Sequence, residues 1–304
     1  MTNSASTIII GTRKSLLAMT QTENVIEELK NKFPNYQFVI KKITTSGDDL
    51  KEWPQTDAKG LFVKEIEEAL QSGEIDLAVH SMKDLPCETP QGLEIAAITK
   101  REKANDVLIS RDGKKLDELP AASKIGTSSL RRKMQILEYN PELEVVEIRG
   151  NLDTRLKKLK DGECDALIVA AAGMIRLGWQ DKITEIIRAS IMLPAPGQGA
   201  LGIEIKKDNE KVRALVNSLH DEDTAAEVTA ERSFLEAMGG GCRTPLGALA
   251  GVITNTLNLK GGVESGTEAP MLKFCASGPK TKAKQLGQML ADIMREQKGD
   301  NHET

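Results

Sequence analysis

A chain of 304 residues, 39% hydrophobic and 28% charged, has room for two or three domains with cores of their own. A formal net charge of -4 and nine aromatic residues (two Trp, two Tyr, five Phe) argue against a nucleic-acid-binding module, which needs a basic face and stacking rings. The four cysteines lie far apart without a C-x-x-C pair and the three histidines are scattered, which argues against a disulfide framework and a zinc site.

The first ten residues have no basic segment and only three consecutive isoleucines, so no secretory signal is expected. No apolar run approaches the length of a membrane span, and a soluble, cytoplasmic protein is expected. Thr7-Ile8-Ile9-Ile10 predicts a short strand ending at Gly11-Thr12, followed by a helix carrying Leu16, Leu17, Val25, Ile26 and Leu29. Residues Tyr36 to Ile43 predict a second strand. Phe62, Ile66 and Leu70 recur every four residues, marking one face of a helix that stops at Gly73. Ile75-Asp76-Leu77-Ala78-Val79 then reads as a buried strand running into His80-Ser81-Met82-Lys83-Asp84.

A second block repeats this grammar. Lys124-Ile125-Gly126-Thr127-Ser128-Ser129 ends a strand and opens a helix, as Gly11-Thr12-Arg13-Lys14-Ser15 does. Gly162-Glu163-Cys164-Asp165 before Ala166-Leu167-Ile168-Val169 echoes Gly73-Glu74-Ile75-Asp76 before its own strand. Such alternation predicts parallel-type sheets covered by helices in two α/β domains, with ligands at the carboxyl ends of strands. Leu193-Pro194-Ala195-Pro196-Gly197-Gln198-Gly199 marks a crossing back between domains, and Leu201 to Lys206 resumes a strand. Thr224-Ala225-Ala226-Glu227 has capping-box spacing and predicts the start of a helix ending at Met238. Beyond Cys242, strands separated by Thr254-Asn255 and Gly261-Gly262, then a helix from about Lys280, predict a small third α+β domain. The expected division is 1–104 with 198–218, then 105–197, then 219–304.

Three features could carry chemistry. Cys242 sits in Gly239-Gly240-Gly241-Cys242-Arg243-Thr244-Pro245, directly after a helix. Glycines let the backbone turn sharply and present the thiol closely to a large partner, and the following Arg favours a thiolate. The alternative is a glycine-rich helix stop followed by a small buried residue. Arg131, Arg132 and Lys133 open a helix after Ser129, and Arg149 and Arg155 flank the next strand-to-helix turn. Cations there oppose the helix dipole, so a carboxylate or phosphate ligand explains them better than helix stability does; an exposed charged face is the other reading. Lys157, Lys158 and Lys160 read as solvated. Asp84, at the carboxyl end of a buried strand, could move a proton or stabilise a developing cation, or could serve as a cap or a surface partner of Lys83.

Seven segments, in order, resemble the porphobilinogen deaminase (hydroxymethylbilane synthase) family. They are Gly11-Thr12-Arg13-Lys14-Ser15-Leu16-Leu17-Ala18 with Gln21, Lys59 to Glu65, and Val79 to Pro86; Ile125 to Arg132 and Ile148 to Leu156; Leu193 to Glu204; and Gly240-Gly241-Cys242 with Thr244-Pro245. The resemblance implies two periplasmic-binding-protein-like α/β domains around a cleft, plus a small C-terminal α+β domain. It implies a transferase that joins four porphobilinogen molecules head to tail with loss of ammonia, then releases hydroxymethylbilane by hydrolysis. It further implies a dipyrromethane primer bound covalently through a thioether to Cys242. Lys83, Ser129, Arg131 and Arg132 would hold the primer's acid side chains, and Arg13, Ser15, Arg149, Arg155 and Arg176 would serve substrate and growing chain. Asp84 matches the catalytic carboxylate; a monomer is expected, with no metal, nucleic acid or membrane partner.

The segment from Gly47-Asp48 to Lys59 is short for the family, and Asp57-Ala58 replaces a usual glycine pair. Asn140-Pro141-Glu142 stands where Arg-Pro-Asp is common. The rival reading is a non-catalytic cytosolic two-domain anion-binding or sensing protein, which would explain a basic site but not the glycine-flanked Cys242.

Overall fold

A computed structural model describes residues 6–49, 63–240, 245–264 and 271–300, apart from the side chains of 48–49 and 298–300. The chain begins with β1 (Ser6–Arg13), α1 (Leu16–Lys32), β2 (Tyr36–Ile43), α2 (Ser46–Asp49) and α3 (Lys64–Ser72). Next come β3 (Leu77–Ser81), a tight turn over Met82–Asp84, β4 (Leu93–Ile98) and β5 (Asp106–Ser110). Then follow β6 (Lys124–Gly126), α4 (Leu130–Tyr139), β7 (Glu144–Val146), α5 (Leu152–Lys160), β8 (Ala166–Ala170) and α6 (Ala171–Arg176). The rest is β9 (Glu185–Ile186), β10 (Leu201–Lys206), α7 (Glu210–Val216), α8 (Glu222–Ala237), β11 (Leu246–Ile253), β12 (Thr256–Val263), β13 (Leu272–Pro279) and α9 (Ala283–Asp300).

The chain forms two compact units: Met1–Arg101 with Ala200–Ala225, and Glu102–Gly199 with Ala226–Thr304. The first unit holds a five-stranded sheet of order β2-β1-β3-β10-β4. β1 runs parallel to β2 and β3, whereas β10 runs antiparallel to β3 and β4. Its core is the apolar face predicted from the sequence: Ile8, Ile10, Val25, Ile26 and Leu29 pack with Leu77, Ile203 and Ile205. Each fully buried aliphatic side chain stabilises the fold by about 1.5–3 kcal/mol relative to exposure.

The second unit holds another five-stranded sheet of order β7-β6-β8-β5-β9, with β6 parallel to β7 and β8 and β5 antiparallel to β8 and β9. The echo between the Gly-Glu-x-Asp segments has a structural cause. Asp76 accepts from the Ile9 N–H at 2.7 Å through Oδ2 and donates its own N–H to Ile9 O at 2.8 Å. Asp165 does the same to Lys124, at 2.9 and 2.8 Å. In both sheets an aspartate just before a strand (β3, β8) thus hooks that strand onto its parallel neighbour (β1, β6).

This unit also contains the antiparallel sheet β11-β12-β13, covered by α8 and α9, with Phe234, Leu259, Leu290 and Met294 in its core. The predicted start of α8 is corrected by one turn. The helix begins at Glu222, and Asp221 Oδ1 accepts from the Thr224 N–H at 2.8 Å, so Asp221 does the capping assigned to Thr224. No helix among the described residues is long and apolar enough to cross a membrane, and no group of acidic, His and Cys side chains there could hold a metal ion.

Candidate functional site

Every expected site residue that is described lies at the carboxyl end of a parallel strand or on the helix that follows it. In the first unit, Arg13 ends β1, and Ser15 caps α1 by accepting from the Ala18 N–H at 3.3 Å. Lys83 and Asp84 lie in the turn that follows β3. That turn is fixed from several directions. Gln21 Nε2 donates to Ser81 Oγ at 3.2 Å, and the Met82 N–H donates to Ala200 O at 3.0 Å. Met82 fills the space over Gly202, where a Cβ would lie 2.3 Å from its sulfur. Just before the turn, buried His80 meets Glu204 of β10 through Nε2 at 3.0 Å. Asp84 itself is exposed on this rigid mount.

In the second unit, Ser129 caps α4, accepting from the Arg132 N–H at 3.5 Å. Arg131 and Arg132 are not an exposed face; both are buried. Their counter-ion is Asp106 at the start of β5, which is 0% exposed. Arg131 Nη1 donates to Asp106 Oδ2 at 2.7 Å and to Leu193 O at 2.5 Å. Arg132 donates to Asp106 Oδ1 through Nε at 3.2 Å and Nη2 at 2.7 Å, and to Ile168 O through Nη1 at 3.0 Å. Gln198 Nε2 donates to the same Oδ1 at 2.9 Å. Burial alone would push the Asp106 carboxyl up; the charges and hydrogen bonds of Arg131 and Arg132 outweigh it and hold the group well below the usual carboxylate range. Two guanidiniums against one carboxylate leave one net positive charge at the head of α4.

The other arginines sit differently. Arg149 is exposed and paired with Glu147, its Nε donating at 2.8 Å. Arg155, half-buried on α5, donates through Nε to Gly150 O at 2.7 Å. Arg176, ending α6, donates to Gly199 O at 2.6 Å. Burial pushes its guanidinium down to about 10, with Glu102 opposing, so it stays charged at neutral pH. Lys133 is exposed, as are Lys157 and Lys160. Residues 241–244, hence Cys242, lie outside the described residues, as do Lys59 and Phe62. What is described is the helix stop before them: Gly239 has φ 68°, and the Gly240 N–H reaches back to Leu235 O at 2.9 Å. Cys164 is buried, which pushes its thiol up to about 11 and makes it inert.

Residues 8–214 match the family model described as the dipyrromethane cofactor binding domain of porphobilinogen deaminase, and residues 225–296 match that of its C-terminal domain. The chain belongs to the porphobilinogen deaminase family. A porphobilinogen deaminase of Syntrophus aciditrophicus is 47% identical over 285 residues, covering 93% of each chain. One of Brevibacillus brevis is 45% identical over 301 residues, covering 94% of this chain and 97% of that one. Among solved structures, a periplasmic binding protein of Salmonella typhimurium is 16% identical with a TM-score of 0.40, over 73% of this chain and 94% of that one. At that score the architecture is described by its own strand order.

The donor chemistry of the second unit fits the family's cofactor. A dipyrromethane carries several carboxylates, and the carboxyl edge of this sheet presents Ser129, Arg131 and Arg132 in fixed positions with net positive charge. Sequence reasoning did not find Asp106 or its partner Gln198. An acidic residue opening the buried run Val107-Leu108-Ile109 was the available signal, since a charge at the head of such a strand needs a partner.

Proposed function

We propose that the protein is a transferase, a hydroxymethylbilane synthase, which condenses four porphobilinogen molecules stepwise with release of ammonia and frees the linear product by hydrolysis. Family membership along nearly the whole chain carries this reading. A dipyrromethane, bound through a thioether to Cys242, supplies the pyrrole end that is extended. Lys83, Ser129, Arg131 and Arg132 hold its acid side chains. Arg13, Ser15, Arg149, Arg155 and Arg176 bind the acetate and propionate groups of substrate and growing chain. Asp84 faces pyrrole N–H groups and offsets the positive charge that develops as ammonia leaves, an interaction stronger in the transition state than in the ground state. The chain acts as a cytoplasmic monomer without nucleic acid or membrane. It is organised as 1–104 with 198–218, 105–197 and 219–304, the last carrying the cysteine.

Intact-protein mass tests this in one series. Wild-type protein carries the added mass of two pyrrole units, Cys242→Ala lacks it and Cys87→Ala keeps it. Single-turnover mixing with porphobilinogen then adds one substrate unit, and Asp84→Asn slows that addition by a factor of at least about 100, the scale of one lost electrostatic contact in a transition state. An unmodified wild-type mass overturns the primer assignment; addition at the wild-type rate in Asp84→Asn overturns that of Asp84.

A further inference from the structure

β11 is an edge strand, so alternate N–H groups along it point away from β12 and must find partners outside the sheet. Three successive ones do. Ala248 donates to Pro194 O at 2.9 Å, Ala250 to Glu231 Oε1 at 2.7 Å and Val252 to Glu227 Oε1 at 3.1 Å. Glu231 and Glu227 lie one turn apart on α8. Glu231 is 0% exposed, and its other oxygen, Oε2, accepts from the Gly197 N–H at 2.7 Å. One carboxylate therefore binds a helix, a strand and the segment 193–199.

That segment also carries the arginine cluster. Leu193 O accepts from Arg131 and from Gln135 Nε2 at 3.0 Å, and Gln198 donates to Asp106. The Leu193 side chain lies in space left by two glycines of the third sheet. A Cβ on Gly247 would come within 2.6 Å of Leu193 Cβ, and one on Gly262 within 2.9 Å of its Cδ1. The two elements that Glu231 ties to this mount, α8 and β11, are those on either side of residues 241–244, which include Cys242. Apolar packing is non-directional, whereas two N–H bonds to one carboxylate fix angle as well as distance.

We infer that Glu231 is a positioning residue, which sets α8 and β11, the elements on either side of residues 241–244, in register with the Arg131–Arg132–Asp106 cluster. The inference rests on the reading that Cys242 carries the primer. Glu231→Gln keeps one accepting oxygen and turns an NH2 group towards the other N–H; Glu231→Ala removes both bonds; Glu227→Gln is the control at the far end of β11.

The test compares, for folded protein of each variant, the primer-bearing fraction by intact mass, amide hydrogen exchange at Gly197 and Ala250, and steady-state kinetics. Glu231→Gln is expected to speed exchange at one of the two amides, lower the primer-bearing fraction and reduce kcat about tenfold at unchanged KM. Glu227→Gln speeds exchange at Val252 alone, with full primer and normal kcat. Faster exchange at Gly197 or Ala250 with full primer and wild-type kcat overturns the inference, because Glu231 is then structural only. Should Glu231→Ala not fold, the Gln variant decides. A wild-type protein of unmodified mass instead places the failure with the reading of Cys242.

Discussion

β10 and β5 occupy equivalent places in the two five-stranded sheets: each is fourth in order and antiparallel to the strand beside it. Each buries one carboxylate, and the two are neutralised by different means. Glu204 on β10 meets His80, a cation only when protonated. Asp106 on β5 meets two arginines, which never lose their charge at any working pH. A third acid, Glu67 of α3, faces the Glu204–His80 pair. Burial pushes its carboxyl up to about 7, Glu204 adds to the rise and His80 opposes it. One architecture therefore holds a permanent ion cluster where the proposed primer binds and a titrating cluster behind the turn that carries Asp84.

Asp106→Ala is the severest way to break this comparison. It leaves two buried guanidiniums without their counter-ion and is expected to cost about 3–5 kcal/mol of stability. Urea unfolding measures this, and a variant within 1 kcal/mol of wild type would refute the counter-ion role. Because its folded value is depressed, Asp106 stabilises the protein fully above the unfolded carboxylate range near about 3.9, and that contribution is lost only as pH falls towards its much lower folded value.

Glu204→Gln has a smaller expected effect, about 1 kcal/mol, since the amide can still hydrogen-bond to His80. It also removes a charge that raises Glu67, so the stability change attached to Glu67 should move to lower pH. An unmoved midpoint would show that the two acids are not coupled. Glu67→Gln is the mildest of the three. A carboxyl whose folded value is raised to about 7 contributes stability that is present at acid pH and lost as pH rises through about 7. The variant should therefore be more stable than wild type at pH 8, by about 1 kcal/mol once solvent screening of this half-buried group is counted, and show no advantage near pH 5. Denaturant melts at the two pH values check the sign.

The strands and helices of both sheets were legible because their apolar periods are clean: Tyr36 to Ile43 and Leu201 to Lys206 are strands over the predicted spans. The two Gly-Glu-x-Asp echoes were visible as pattern, while the hook they encode needed the Ile9 and Lys124 N–H groups brought near by pairing. Arg131 and Arg132 were legible as cations misplaced at a helix start, but not as buried ones. Their partner lies 25 and 26 residues earlier in the chain, and no local spacing rule joins an arginine to an acid across a sheet. Glu231 was hidden for the same reason: on a charged, amphipathic helix, one glutamate looks like another until a strand edge arrives opposite it.

The place of β10 governs the order in which the protein can be made. It lies between β3 and β4, so β4 has no neighbour in its sheet until Leu201–Lys206 has been synthesised. The strands of the other sheet, β5 to β9, arrive without interruption between Asp106 and Ile186. On a ribosome the later sheet can close first, while the amino-terminal strands wait with an unpaired edge for a piece of chain made about a hundred residues after them. A stall in translation within that interval would leave β3 and β4 exposed to pairing with other chains, a hazard that the finished enzyme no longer displays.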